Sequence, residues 1–225
     1  MRGIIQIAGV VDREEAEMLI AEGVDWIGFP LRLTVHREDL SEEQAAEIIR
    51  GIVLPNRAVL ITYLRTAEAV LALCRKIGVT TVQLHGDTPL AEVVRLKTLA
   101  PDLYMLKSLV IRSGNFETLK GIGRQYAAWA DAFITDTFDP ATGACGATGK
   151  THDWNVSRKL VECSQRPILL AGGLNPDNVR QAIEQVRPAG VDAHTGVEGP
   201  DGRKDRDKVR RFVAEARAAF DSLNA

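Results

Sequence analysis

Cysteine is scarce, with only Cys74, Cys145 and Cys163 in 225 residues. An odd count without CxxC spacing excludes a disulfide framework and a cysteine-rich zinc site. Neither charge sign is in surplus: 28 basic against 30 acidic side chains leave a formal −2. Binding to nucleic acid or an anionic membrane through bulk charge is therefore not expected. No apolar run approaches the roughly 20 residues of a membrane span. The stretch Met1-Arg2-Gly3-Ile4-Ile5-Gln6 turns polar too early for a secretory signal, and a cytoplasmic setting is the expectation. The four histidines include no HExxH pair, so neither metal nor cofactor is expected. No G-x-G-x-x-G follows the first apolar run, which removes the main sign of a dinucleotide fold.

What is present is an alternation that runs the length of the chain. Apolar residues make up 45% and charged residues 26%, enough to bury one sizeable core. Short apolar runs at 4–8, 26–29, 58–62, 81–84, 103–110, 132–135, 167–171 and 190–193 predict strands. Helical spacing falls between and after them, at 12–22, 41–52, 66–76, 89–99, 115–124, 153–162, 176–186 and 205–220. Ser41 with Gln44 fits a capping box, Pro89 suits a first helical turn, and Asn175 suits a cap. Eight strand–helix units without a composition break predict an α/β protein: a single (β/α)8 TIM barrel of parallel strands over 1–225. The longest connection, at 140–150, is rich in Gly, Ala and Thr and reads as a lid.

Active sites of such barrels form at the C-terminal ends of the strands. That rule selects Gln6, Gln83, His85, Lys107, Asp136, His194 and the glycine turns after the seventh and eighth strands. Gly172 and Gly173 precede a helix, and Gly196, Val197 and Glu198 follow the last strand. Glycines let bare backbone N–H groups approach an anion, and this pair of loops is the usual phosphate site of the fold; the alternative is that they serve only tight turns. A small phosphorylated ligand is expected, bound by a monomer or homodimer. Asp136 reads as a general acid or as a cap or turn aspartate. His85 and His194 read as catalytic groups or as structural hydrogen-bonders. Lys107 is a candidate Schiff-base amine if burial lowers its pKa. Cys145, in the glycine-rich loop, is a reactive thiol or an incidental one. The mixed charges of 203–208 read as a solvated face.

Several of these stretches, in order and spacing, resemble phosphoribosylanthranilate isomerases of the tryptophan pathway. They are Gln83-Leu84-His85-Gly86; Thr135-Asp136-Thr137; Gly149-Lys150-Thr151-His152-Asp153-Trp154; Gly172-Gly173-Leu174-Asn175-Pro176; Val191-Asp192 through Gly196-Val197-Glu198; and Gly202-Arg203-Lys204-Asp205. The resemblance implies that the small phosphorylated ligand is a sugar or sugar amine and that it undergoes an Amadori rearrangement with Asp136 as acid. It also implies an arginine for the anthranilate carboxylate in the loop after the second strand, where Arg32 and Arg37 are available. The family's base is a cysteine in a Lys-x-Cys-Gly motif; here that stretch reads Gln6-Ile7-Ala8-Gly9. A methyl group accepts no proton, so the base would be Cys145, His194 or His85. Losing it typically costs about 10²–10⁴-fold. Aldol, decarboxylation or epimerisation chemistry on another phosphorylated metabolite, and non-catalytic phosphosugar binding, are the competing expectations.

Overall fold

Strands buried on both faces cannot alternate polar with apolar residues, and Thr81–Leu84 is buried at every position. Eight such strands form the molecule's centre in a computed structural model that describes residues 3–34, 38–138 and 151–223. In chain order they are β1 (Ile4–Ala8), β2 (Trp26–Pro30), β3 (Arg57–Thr62), β4 (Thr81–Leu84), β5 (Tyr104–Ile111), β6 (Ala132–Thr137), β7 (Ile168–Leu170) and β8 (Gly190–Ala193). The helices are α1 (Arg13–Ala21), α2 (Glu42–Ile49), α3 (Ala67–Ile77), α4 (Leu90–Leu99), α5 (Phe116–Tyr126), α6 (Trp154–Cys163), α7 (Val179–Val186) and α8 (Arg206–Ser222). Each strand pairs in parallel with the next, and β8 closes on β1, giving the expected barrel.

The core has two layers. Ala8, Trp26, Val59, Ile61, Leu106, Ala132, Ile134 and Leu169 fill the barrel interior. A larger set, including Ile5, Ile7, Leu19, Phe29, Val70 and Phe212, packs strands against helices. Side chains alternate faces along a strand, so the inward row on β6 runs through Ala132 and Ile134 to Asp136. The inward row of β5, Tyr104 and Leu106, continues to Ser108, which turns Lys107 outward.

Local chemistry sets the element ends. Ser41 and Gln44 form the expected reciprocal cap on α2. Asp205 accepts from the Lys208 N–H at the start of α8. The helix expected from 176 begins instead at Val179. Asn175 accepts from the Asp177 N–H, and its own N–H donates to the Asn178 side chain. Asn175 thus closes an Asx turn before α7 rather than capping the helix. β6 extends two residues beyond expectation and pairs Asp136 with Val110. Asp136 is therefore a strand residue, not a helix cap.

Candidate active site

The strand C-termini open into a cavity of about 430 Å³. Its walls come from Ala8 of β1, Pro30 of β2, Ile61 of β3, Gln83 of β4, Asp136 of β6 and Asp192 and Ala193 of β8, with Tyr63, His85 and the turns that follow. Among the expected site residues, Gln83, His85, Asp136, Gly172, Gly173, His194, Gly196 and Glu198 all line this space.

Asp136 is buried, and one carboxyl oxygen accepts the Thr137 N–H at 2.7 Å. The other lies 3.8 Å from His85 Nε2. Burial pushes the Asp136 pKa up, while His85 and the Thr137 amide oppose that rise. His85 is fixed from behind. The Ser108 hydroxyl approaches Nδ1 at 3.1 Å and the Gln83 amide at 3.4 Å, while Tyr63 packs edge-on at 4.8 Å. With Nδ1 accepting, Nε2 carries the hydrogen that faces Asp136. Gln83 is oriented in turn, its Oε1 accepting from Gln6 Nε2 at 3.0 Å.

His194 leaves β8 and crosses toward the end of β1. Its ring lies where a side chain at position 9 would stand: a Cβ built on Gly9 would meet Nε2 at 2.0 Å. Gly9 has φ +80, so both the space and the backbone require glycine there. Nε2 also lies 3.4 Å from Glu198 Oε1, which pairs with the buried Lys204 at 2.7 Å.

The two glycine turns meet at the opposite wall. The N–H groups of Gly172 and Gly173 donate to no acceptor among the described residues. Gly196 packs so tightly against this turn that a Cβ would meet the Leu174 carbonyl oxygen at 2.0 Å. Val197 is a correction to the expected set. It is fully buried, and its N–H faces the His194 carbonyl at 3.5 Å rather than the cavity. The Glu198 N–H is likewise engaged by the Thr195 carbonyl at 3.1 Å, so Glu198 meets the cavity through its carboxylate.

Lys107 is a second correction. Its Nζ donates to the Gly86 carbonyl at 2.5 Å and the Ser108 carbonyl at 3.2 Å, beside the Tyr126 ring of α5. Burial lowers its pKa to about 8, but it lies between strands and helices, so it cannot attack a substrate in the cavity. Arg32 is exposed and donates through Nε to Glu42 at 2.5 Å, away from the cavity. Arg37, Cys145 and the 140–150 loop lie outside the described residues.

Three wall residues were missed by sequence reasoning. Tyr63 and Asp39 follow strands in loops without a recognisable motif. Asp192 sat inside a quoted stretch without a role. It lies two residues before His194 on one face of β8, and that spacing was the available signal. His152 likewise sat inside a quoted stretch without a role. It accepts or donates between Thr137 Oγ1 (2.9 Å) and Ser157 Oγ (2.6 Å), tying β6 to α6. Burial lowers its pKa to about 4 from 6.5. The unfolded chain therefore takes up this proton first, and the stabilisation is complete above pH 6.5 and lost as pH falls toward 4. Relative to His152→Gln, the parent should lose on the order of 3 kcal/mol across that window. Paired thermal melts check this; parallel Tm curves would contradict it.

Among the described residues no group of His, Cys, Asp and Glu is arranged to hold a metal ion. No helix among them is long and apolar enough to cross a membrane.

Comparison with known proteins extends over nearly the whole chain. The family model for N-(5′-phosphoribosyl)anthranilate isomerase matches residues 5–215. An N-(5′-phosphoribosyl)anthranilate isomerase of Methanosarcina mazei is 37% identical over 218 residues, covering 96% of this chain and 95% of the relative. That of Haloferax volcanii is 33% identical over 216 residues, covering 96% and 93%. The crystal structure of the isomerase from Thermotoga maritima superposes with a TM-score of 0.81 at 28% identity, covering 97% of this chain and 100% of that one. Another solved isomerase, with TM-score 0.79 and 26% identity over 97% of this chain and 100% of its own, holds reduced 1-(o-carboxyphenylamino)-1-deoxyribulose 5-phosphate.

Proposed function

Because the chain belongs to the N-(5′-phosphoribosyl)anthranilate isomerase family, we propose that it performs the Amadori rearrangement of N-(5′-phosphoribosyl)anthranilate, with Asp136 as acid and His194 as base. The observation that carries this reading is the buried Asp136 carboxyl on the wall of a cavity whose other side is built from glycine turns. A carboxyl with a raised pKa keeps its proton for donation. Unengaged amides at Gly172 and Gly173, beside Gly196, suit a phosphate dianion.

The reaction runs as follows. Protonated Asp136 gives its proton to the furanose ring oxygen. The C1–O bond breaks, and the nitrogen lone pair forms a C1=N iminium. His194 then removes the proton from C2; those electrons form C1=C2, and the iminium pair returns to nitrogen. The enolamine takes a proton at C1 from His194 and loses the 2-hydroxyl proton, which restores the Asp136 carboxyl, leaving a ketone. Glu198, 3.4 Å from Nε2, steadies the imidazolium between these steps.

Two facts favour His194 as base. Strands β1 and β8 pair Gln6 with Asp192 and Ile7 with Ala193. Carrying that register one residue further sets His194 beside Ala8, where the family resemblance places a cysteine. The Gly9 contact brings the ring to the same end of β1.

The direct test is turnover of N-(5′-phosphoribosyl)anthranilate, generated in place from anthranilate and phosphoribosyl pyrophosphate and followed by fluorescence. Conversion to the ketose is the expected result; substrate that persists with purified protein across the neutral pH range would contradict it. Gly196→Ala tests the phosphate turn separately. Its Cβ meets backbone that cannot swing aside, so a loss of about 1–3 kcal/mol in stability is expected. The shifted amides should also raise KM about tenfold or more, as an interaction made equally in ground and transition states would. An unchanged KM would remove this turn from the phosphate site.

A further inference from the structure

Resting on the proposed isomerase reading, we infer that Asp192 is a further catalytic residue: it shares one proton with Asp136 across the cavity floor and takes up the 2-hydroxyl proton that restores the pair after each turnover. Both carboxyls belong to inward rows, Asp136 on β6 and Asp192 on β8, and both reach the cavity wall. Oδ1 of Asp192 is wholly buried and has no hydrogen-bond partner among the described residues. An orphaned buried carboxylate oxygen is costly if charged and unpaired, and a shared proton removes that cost.

Among the described residues the nearby basic groups are held by other partners. Gln6, paired in register with Asp192, stands where the resemblance places a lysine, and its Nε2 donates to Gln83. Lys204 Nζ is held by Glu198 at 2.7 Å, with Asp39 also facing that pair. His85 addresses Asp136 at 3.8 Å, and His194 addresses Glu198. Carrying the β6–β7 and β7–β8 registers forward sets Asp136 and Asp192 level with one another on either side of Ala171, so Asp192 stands between the Gln6 amide and a second carboxyl. Its pKa is raised to about 8, by burial first and by Asp136 second, with Gln6 and Lys204 opposing.

The protons balance. Asp136 donates the shared proton to the ring oxygen, which leaves both carboxyls ionised. The 2-hydroxyl proton, released as the ketone forms, is taken up by Asp192 and shared again with Asp136. The C2 proton travels separately, to His194 and back to C1. No other reactant is required.

Asp192→Asn keeps the shape and removes the second carboxyl. It should lower kcat about tenfold to a hundredfold with KM within twofold. The alkaline limb of the pH–rate profile should move from near pH 8 toward acid, because Asp136 loses the neighbouring carboxyl that holds its proton. Gln6→Lys should shift that limb the same way by supplying a cation. A kcat within twofold of the parent, with an unmoved limb, would overturn the inference. Carboxyl ¹³C NMR of aspartate-labelled parent protein decides the case even if these variants fail to fold. One proton over two carboxyls, leaving near pH 8, is expected; two ionised carboxylates at neutral pH would refute it. Because the titration needs no substrate, a protein that fails to turn over N-(5′-phosphoribosyl)anthranilate would overturn the isomerase reading while the titration still reports on the pair.

Discussion

Replacing Asp136 with asparagine should lower kcat about 10²–10⁴-fold while KM stays within a few-fold of the parent. The amide keeps the volume of the carboxyl and can still accept the Thr137 N–H, held at 2.7 Å in the parent. It has no proton acidic enough for the furanose oxygen. Only the transition state of ring opening feels that loss, so kcat falls and binding does not. Unfolding cannot mimic the effect. A carboxyl whose pKa rises on folding destabilises the native state as pH climbs above its unfolded value. Asparagine removes that burden, and Tm at neutral pH should hold or rise. A variant that melts earlier, or keeps more than a tenth of the parental kcat, would contradict the assignment.

His194→Ala should cost a similar factor, about 10²–10⁴, and a cysteine should repair it from across the strand pair. Ala8 faces the cavity from β1, directly beside His194 when the β1–β8 register is carried one residue on. In the His194→Ala background, Ala8→Cys sets a thiol on the inward row where the family resemblance expects the base. Activity should recover by tenfold or more, whereas Ala8→Cys in the parent should add little because the base is already present. That non-additivity is the signature of two residues filling one role. Gly9→Ala supplies a control. Its Cβ would overlap the imidazole, 2.0 Å from Nε2, so it should impair the parent strongly and the His194→Ala variant far less. If His194→Ala retains near-parental kcat, the base lies elsewhere, and Cys145 becomes the next residue to replace.

The barrel was legible because its signal is repeated. Each β–α unit is a short apolar run followed by helical spacing, and eight repetitions leave one economical closure. Errors at the ends came from side chains competing with the helix for backbone groups, as Asn175 and Asn178 do before α7. The facing of strand residues was not legible. β5 is buried at five consecutive positions from Met105, so no polar alternation marks which side meets the cavity. Lys107 and Ser108 could have exchanged roles on paper; only the register places Ser108 behind His85. The same ambiguity hid Asp192, which reads as one polar residue in a buried strand until its row is traced to His194. Arg32 was selected by loop position alone, and its ion pair with Glu42 depends on a helix beginning ten residues later. Gln6 and Ala8 were the reverse case. Their departure from the Lys-x-Cys-Gly pattern was plain in the sequence, and the meaning of the departure became readable once the His194 ring was found over Gly9.

The most direct measurement is a crystal structure of the protein with reduced 1-(o-carboxyphenylamino)-1-deoxyribulose 5-phosphate. The expected complex has the phosphate on the amides of Gly172, Gly173 and Gly196, with C2 between the Asp136 carboxyl and the His194 ring. A phosphate bound elsewhere, or a sugar whose C2 lies out of reach of both side chains, would contradict the assignment of this cavity as the catalytic centre.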